Sequence, residues 1–260
     1  MIEVLGVGKQ FGGITALNPL DWTIGKGEWW GIIGPNGSGK STLMRLLSGV
    51  ERVSSGVVNI NGKNVTDYSR KQLSRMMAVL QQEGIAPIHY PVREVIEMGR
   101  YPYMDWLGRD SSENVDSLIE GIMDKLKLHE LAERPLDELS GGQRQRVALG
   151  QVMAQEPSIL LLDEPTSFLD IHYQQQFMEL VANWRKETGI TVIAVLHDLN
   201  LAAQYCDKLL VLRDGKAVGM GTPQEMLTAE NIRVVYEVEP VVVAHPASGV
   251  PQVLLSRQTM

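Results

Sequence analysis

Short apolar runs alternate with longer amphipathic segments along most of the chain. Residues 29–33 form an uninterrupted apolar run that ends at a glycine, which predicts a buried strand entering a loop. Apolar runs at 158–162 and 190–196 predict further buried strands, and residues 171–188 between them have helical spacing. Nearly all-apolar strands that alternate with helices predict a parallel sheet covered on both faces.

Other segments extend this α/β pattern. Turn residues Asn61 and Gly62 predict a β-hairpin within 54–65, and a second hairpin is predicted near the end of the chain with its turn at Ser248 and Gly249. The remaining predicted elements are helices at 42–47, 143–155 and 199–206, a short strand at 77–80 and a strand pair around 209–221.

The middle of the chain has a different character. Residues 84–139 are rich in Glu, Asp, Met and Leu at helical spacing and are interrupted by four prolines. We therefore expect a mostly helical lobe inserted into an α/β core that also has an N-terminal antiparallel β portion. The expected domains are a core of 1–83 and 140–230, a lobe of 84–139 and a hairpin-like tail of 231–260.

Composition and charge narrow the function classes. The 260 residues are 44% hydrophobic and 21% charged, as in an ordinary globular protein. The formal net charge of −7 argues against a nucleic-acid partner, because binding a polyanion needs an excess of Lys and Arg. The single cysteine, Cys206, fits a reducing compartment and a buried apolar position. Neither a signal peptide nor an apolar run of about 20 residues is present, so we expect any membrane role to act through a partner.

A glycine-rich loop follows the first buried strand. GPNGSGKST matches the pattern G-x-x-x-x-G-K-[ST], in which missing β-carbons let successive N–H groups point at a phosphate. Lys40 is then placed to reach the outer phosphates, and Ser41 to ligate Mg²⁺. The candidate nucleotide-binding residues of this loop are Gly34, Pro35, Asn36, Gly37, Ser38, Gly39, Lys40, Ser41 and Thr42.

Two adjacent carboxylates end the apolar strand at 158–162. Charge at the end of a buried strand is costly unless a metal ion or a reaction uses it. Asp163 is therefore a candidate ligand of Mg²⁺, directly or through water, and Glu164 is a candidate to face the attacking water. The alternative is that Asp163 and Glu164 are solvent-exposed acids of a loop with no role in binding or catalysis.

A second anion-binding helix start lies at 139–146, in LSGGQRQR. The first loop already surrounds one phosphate, so this segment needs a different role. Here the sequence resembles the nucleotide-binding subunits of ABC transporters, whose signature motif is LSGGQ. The resemblance implies that ATP is the ligand and that the signature residues Ser140, Gly141, Gly142 and Gln143 bind nucleotide.

Further motifs of that family occur in the same order along the chain. Gln82 corresponds to the Q-loop glutamine, with Gln81 as a competitor, and Asp170 corresponds to the D-loop aspartate. His197 corresponds to the switch histidine, and Phe11 to the aromatic residue that stacks on adenine. Considered alone, Phe11 is more often a core residue and His197 a structural one.

The resemblance implies a mechanism and a stoichiometry. Two copies would sandwich ATP, with the loop of one copy and the signature segment of the other on either side. Glu164 would act as general base, His197 would hold the water and the γ-phosphate, and Gln82 would sense and ligate Mg²⁺. Lys40 also belongs to the candidate catalytic set, and Asp170 would link the two sites.

Segments outside the shared motifs resemble one branch of the family, the importers of ferric siderophores, haem or cobalamin. These segments are VLQQ, the run VREVIEMGRYPY, TSFLDIHYQ, HDLNLAAQYCD and GTPQEMLTAENIRVVYEVE. The branch commonly has a proline before the Q-loop glutamine, where this chain has Gln81. The resemblance implies polytopic permease subunits that dock on residues 84–103, an extracytoplasmic substrate-binding protein as an indirect partner, and a peripheral position on the cytoplasmic face of the membrane.

Other classes of ATP-binding protein share some of these motifs. A soluble ABC ATPase of the iron-sulfur assembly type would share every nucleotide motif and is the main alternative. A translation factor of the ABC class would need two cassettes, and a DNA-repair ATPase would need a long coiled coil where this chain has a short, proline-interrupted insertion. A non-catalytic nucleotide-binding scaffold is contradicted by the joint presence of Lys40, Asp163, Glu164 and His197.

Overall fold

A computed structural model describes residues 1–82, 84–110, 112–167 and 169–255. The end of the predicted core segment 1–83, at residue 83, and the end of the predicted tail, 256–260, lie outside these ranges. The chain divides into two compact units, one made of Met1–Asp67 with Thr191–Met260 and the other of Tyr68–Ile190. No helix in the described ranges has both the length and the apolarity needed to cross a bilayer.

Strands and helices alternate along much of the chain. The strands are β1 Ile2–Phe11, β2 Ile14–Ile24, β3 Trp29–Ile33, β4 Ser55–Ile60, β5 Lys63–Asn64, β6 Met77–Leu80, β7 Ile159–Asp163, β8 Thr191–Val195, β9 Lys208–Arg213, β10 Lys216–Gly221, β11 Pro240–Ala244 and β12 Pro251–Leu255. The α-helices are α1 Lys40–Leu47, α2 Arg70–Met76, α3 Val92–Glu97, α4 Val115–Leu126, α5 Gly141–Ala154, α6 Ile171–Thr188, α7 Leu199–Tyr205, α8 Pro223–Met226 and α9 Ala229–Tyr236.

The first unit contains the predicted antiparallel portion and part of the parallel sheet. β2, β1, β4 and β5 form an antiparallel sheet in that order. β3 is parallel to both β8 and β9, and β10 pairs with β9 in the antiparallel sense. Every residue of β3 and β8 is buried, which explains why both segments are apolar throughout.

The two predicted hairpins are confirmed. β4 and β5 pair on either side of Asn61 and Gly62, both of which have positive φ. β11 and β12 pair in register from Pro240 with Leu255 to Ala244 with Pro251. Helix α9 precedes this second hairpin and spans position 231, where the sequence placed the start of the tail.

The second unit contains the predicted helical lobe and a parallel strand pair. β6 lies parallel to β7, and α3 and α4 pack against α5. Buried Arg100 anchors the segment after α3, because its guanidinium contacts Asp110 at 2.8 Å and Glu156 at 2.5 Å and donates to the carbonyl of Ala154. Helix α2 was missed by the sequence reading, although Ser69 and Gln72 form a capping box at its start.

Substitution of two glycines in this unit is expected to have opposite effects on the free energy of unfolding. A β-carbon at Gly99 would collide with the backbone oxygen of Gln151 in α5, whereas one at Gly121 in α4 meets no atom within 4 Å. We expect Gly99→Ala to lower the free energy of unfolding by about 1–3 kcal/mol. Gly121→Ala should leave it unchanged or raise it by up to about 1 kcal/mol. Urea unfolding followed by circular dichroism measures both, and equal effects of the two variants would contradict the close approach of the segment after α3 to α5.

Candidate functional site

The backbone of the loop between β3 and α1 packs closely against two neighbouring strands, β9 and β2. Gly34 has a φ of 149°, and a β-carbon there would collide with the carbonyl oxygen of Leu212 at the end of β9. Gly39 has a φ of 98°, and a β-carbon there would lie 2.8 Å from the carbonyl oxygen of Ala16 in β2. Larger residues at both positions would push the loop away from its supporting strands, so the curved backbone depends on glycine.

Lys40 lies inside this curve. Its Nζ donates to the carbonyl oxygens of Gly34 and Pro35, both at 2.9 Å, and the residue is only 5% exposed. Ser41 is exposed and Thr42 half-buried at the start of α1. The positive end of the helix and a buried ammonium group therefore point to the same concave backbone, which suits a polyanionic phosphate chain.

Gly215 and Tyr236 contact the backbone of the loop. The Ser38 hydroxyl is buried and has no hydrogen-bond partner within the described part of the chain, while its carbonyl accepts from the N–H of Gly215 at 3.2 Å. The Tyr236 hydroxyl, at the end of α9, lies beside the backbone N–H of Gly34, and burial raises the pKa of Tyr236 to about 12. Tyr236 was not predicted as a site residue, because it lies outside every nucleotide-binding motif of the sequence.

The first unit brings two more predicted residues towards this loop. The N–H of Leu196 donates to the carbonyl of Ile32 at 3.2 Å, so His197 follows β8 at the sheet edge where the loop follows β3. Phe11 pairs with Ile14 at the end of the β1–β2 hairpin. That end is close to the loop, because Ala16 is the residue that approaches Gly39. Phe11 is 46% exposed and the Lys9 ammonium lies 4.6 Å from its ring centroid.

The second unit aligns the predicted carboxylates with the predicted Q-loop residue. β6 and β7 are in register with Leu80 opposite Leu162. Gln82 and Glu164 each lie two residues beyond that pair, so both leave the sheet at the same edge. Asp163, the last residue of β7, is half-buried, and Gln82 is exposed.

Glu164 has an unusual backbone conformation. Its φ is +51°, a left-handed value that costs energy for a residue with a side chain. The hydroxyl of Ser167 donates to Glu164 Oε2 at 3.2 Å. Such strain persists where the surrounding structure holds it, and here it turns the carboxylate away from the direction in which a strand would place it.

The signature segment forms the N-terminus of α5. The Ser140 side chain accepts from the N–H of Gln143 at 3.3 Å, and the Gln143 side chain accepts from the N–H of Ser140 at 2.9 Å, a reciprocal capping box. Gly141 is exposed with open space around its α-carbon, whereas a β-carbon at Gly142 would lie 2.7 Å from the ring of Tyr173 in α6. Gly141 therefore keeps the helix start accessible, and Gly142 permits the close contact with Tyr173.

Two glutamines that the sequence reading did not select hold the loop between β7 and α6. Gln145 Nε2 in α5 donates to the carbonyl of Pro165 at 3.0 Å. Gln174 Nε2 in α6 donates to the carbonyls of Thr166 at 3.1 Å and Leu169 at 3.0 Å. Asp170, predicted as a nucleotide-binding residue, is the N-cap of α6.

A cavity of about 180 Å³ in the second unit connects these segments. Its lining combines the predicted Q-loop, the signature helix and the loop after β7 through Gln82, Gly84, Ile85, Gly141, Arg144, Gln145, Pro165 and Leu169. Gln145 is central to it, since its side chain lies both on Pro165 and near Gly84. One amide thus joins the signature helix to the residue that follows Glu164.

Replacing Gln145 tests this connection. If Glu164 is the base of an ATPase, as the resemblance implies, Gln145→Leu should lower kcat for ATP by about tenfold with little change in KM, because small misplacements of a catalytic group are costly. Gln155→Leu is the matched control, since Gln155 also lies at α5 and donates to a backbone carbonyl, that of Met77 at 2.8 Å, but far along the helix from Glu164. Steady-state kinetics measures both, and an equal kcat loss in the two variants would indicate general destabilisation instead.

Sequence comparisons agree with these features. The sequence profile of the ABC transporter family matches residues 17–167. The ferric enterobactin transport ATP-binding protein FepC of Escherichia coli is 39% identical over 96% of this chain and 90% of its own length. The iron(3+)-hydroxamate import ATP-binding protein FhuC of Bacillus subtilis is 36% identical over 96% of this chain and 91% of its own length. YvrA of Bacillus subtilis, an ABC transporter ATP-binding protein, is 38% identical over 96% of this chain, which spans 57% of the length of YvrA.

Solved structures give the same assignment. A chain of an inward-facing transporter assigned to the metal-chelate type superposes with a TM-score of 0.84 at 26% identity and covers 98% of this chain and 97% of its own. A dimeric ATP-binding cassette with bound ADP and phosphate superposes with a TM-score of 0.72 at 26% identity, covering 85% of this chain and 98% of its own. The phosphate-type loop, the strand-end carboxylates and the capped signature helix are thus found on a fold shared across nearly the whole chain. The chain belongs to the ABC transporter family and has the fold of its ATP-binding subunits.

Proposed function

We propose that this protein is the ATP-hydrolysing motor subunit of an importer that takes up a metal chelate, namely a ferric siderophore, haem or cobalamin. The observation that carries the proposal is the similarity to FepC and FhuC over 96% of the chain, which includes the helical lobe and the tail as well as the nucleotide motifs. Motifs alone would fit any ABC ATPase. Similarity outside the motifs favours the importer branch over the soluble iron-sulfur assembly type.

The phosphate chain of ATP would bind at the loop of residues 34–42. Successive backbone N–H groups and the buried Lys40 ammonium supply positive charge, and Phe11 offers a partly exposed ring for the adenine. The loop fits this role because side chains at Gly34 and Gly39 would fill the space that the backbone needs. Ser41, Gln82 and Asp163 would hold Mg²⁺, since their side chains carry oxygen atoms, the ligands that Mg²⁺ prefers. When bound, Mg²⁺ neutralises phosphate charge as the reaction proceeds.

Hydrolysis would proceed by in-line attack of water on the γ-phosphate. Glu164 would orient that water and accept its proton, with Ser167 holding one carboxylate oxygen. His197, at the end of β8, would contact the water and the γ-phosphate. Positioning and charge neutralisation provide most of the rate acceleration in phosphoryl transfer.

A second copy of the chain would complete each site. Helix α5 has 14 residues and begins at Gly141, which is exposed. The backbone N–H groups at its N-terminus are therefore accessible to an external anion. In the proposed dimer, Ser140, Gly141 and Gly142 of one copy close over the γ-phosphate bound by the other, and Asp170 links the two sites. The dimeric cassette with ADP and phosphate supports this arrangement.

The motor would act through other proteins. Polytopic permease subunits would dock on residues 84–103 and place the protein on the cytoplasmic face of the membrane. An extracytoplasmic binding protein would deliver the chelate to the permease. No nucleic acid is part of this proposal.

Uptake in the source organism tests the function. A strain carrying Lys40→Ala in place of the native chain should lose uptake of one labelled chelate among ferric siderophores, haem and cobalamin. Uptake of an unrelated nutrient is the internal control. If every uptake rate stayed normal while iron-sulfur enzymes lost activity, the soluble alternative would replace the importer.

A further inference from the structure

A tight turn follows the anchored Arg100 segment in the second unit. Met104 and Asp110 form an isolated antiparallel bridge at its base. Within it, Asp105 Oδ1 accepts from the N–H of Leu107 at 2.8 Å and from the N–H of Arg109 at 3.0 Å. These bonds order the backbone of residues 104–110, and the folded turn leaves the side chains at its tip exposed.

The tip carries apolar side chains that face solvent. Trp106 is 89% exposed and Leu107 is 50% exposed. The other four of the five tryptophans, all in the described part of the chain, are between 1% and 6% exposed. Because a tryptophan buries more apolar surface than most residues, its nearly complete exposure at a rigid tip marks a contact surface.

Three cations surround the same turn. Lys71 Nζ donates to the carbonyl of Met104 at 2.7 Å, and Arg75 Nε donates to the carbonyl of Pro102 at 2.9 Å, so helix α2 is held against the base of the turn. Arg109 lies on the turn itself with its side chain 71% exposed.

Acidic groups cancel only part of this charge. Asp105 pairs with Arg109 at 3.4 Å, while Asp110 at 2.8 Å and Glu156 at 2.5 Å both pair with buried Arg100. Together with Lys71 and Arg75 these groups are four cations against three acids, so the turn is locally positive by one charge, although the chain as a whole has a net charge of −7. Positive charge concentrated around one exposed tryptophan on an acidic protein predicts a partner that is both anionic and apolar.

We propose that the turn of residues 104–110 inserts Trp106 and Leu107 into the headgroup region of an anionic lipid bilayer, with Lys71, Arg75 and Arg109 contacting lipid phosphates. Tryptophan favours this interfacial region because its ring is apolar and its N–H is polar, and each nearby cation adds attraction to the anionic surface. This contact goes beyond the proposed ATPase and does not depend on nucleotide.

Fluorescence provides a direct test, because Trp106 is the exposed tryptophan. The purified full chain is mixed with vesicles of phosphatidylcholine, with or without phosphatidylglycerol, in which part of the acyl chains is brominated. We expect quenching and a blue shift with the anionic vesicles, and loss of both at high salt.

Vesicle flotation then compares variants by the fraction bound. Trp106→Ala should abolish most of the binding, and Lys71→Ala and Arg75→Ala should each weaken it by about fivefold. Lys186→Ala removes an exposed cation of the same unit outside the turn and should have no effect. ATP turnover should be unchanged in all four variants, which shows that they are folded and separates this proposal from the proposed function.

Several outcomes would overturn the proposal. Equal binding to neutral vesicles, or binding that Trp106→Ala leaves intact, would exclude the turn as an anionic-lipid contact. Absence of lipid binding, together with a Trp106-dependent interaction with detergent-solubilised permease, would assign the turn to a protein partner.

Discussion

Glu164→Gln is expected to lower ATP turnover by about 10²–10⁴-fold, the range typical of a lost general base. The substitution keeps the size and one hydrogen-bonding oxygen of the side chain, so Ser167 retains a partner and the left-handed backbone at Glu164 is not disturbed. ATP binding should persist because the phosphate loop belongs to a different segment. Phosphate release at saturating ATP measures turnover, and equilibrium dialysis measures binding.

The same variant reports on the dimer. If hydrolysis ends the ATP-bound state, Glu164→Gln with ATP should give a dimer in light scattering that the wild type does not accumulate. Glu187→Gln is the control, because Glu187 is a half-exposed acid of the same unit that pairs with Lys125. Turnover at the wild-type rate in Glu164→Gln would exclude Glu164 as the base.

Lys40→Ala is expected to weaken ATP binding by at least about a hundredfold, since hydrogen bonds to charged groups contribute about 1.5–3 kcal/mol each. The loss has two parts in this structure. The ammonium that faces the phosphates disappears, and the carbonyls of Gly34 and Pro35 lose the donor that holds the loop curved. Equilibrium dialysis with labelled ATP measures the affinity.

Two further variants separate charge from geometry at this position. Lys40→Arg keeps the charge but needs more room than a residue that is 5% exposed has, so we expect little rescue. Lys26→Ala removes an exposed lysine elsewhere in the same unit and should leave the affinity unchanged. Normal binding by Lys40→Ala would contradict the assignment of the loop as the phosphate site.

Elements with a clear pattern of apolar residues were predictable from the sequence. β3 and β8 are buried on all sides, so their segments are wholly apolar, and α6 was predicted with its observed bounds. The confirmed fold class follows from that alternation and from family resemblance. Cys206 is buried, as we expected for the single cysteine of the chain.

Contacts made by common residue types could not be predicted from the sequence. Gln145 and Gln174 have no distinguishing pattern, and their importance comes from the backbone carbonyls that the fold places beside them. Helix α2 is short and has no buried residue, so it lacks the apolar stripe that reveals longer helices. The predicted roles of the site residues and the predicted domain limits remain predictions.

The order of synthesis matters for a unit built from both ends of the chain. β3 is central in its sheet, yet both of its neighbours, β8 and β9, come from the C-terminal part. At about 5–20 residues per second, the ribosome needs roughly 8–30 s after finishing β3 to reach β8. During that time β3 lacks the two strands with which it pairs in the folded protein, so a nascent chain exposes its apolar surface and is a target for chaperones until β8 and β9 have been synthesised.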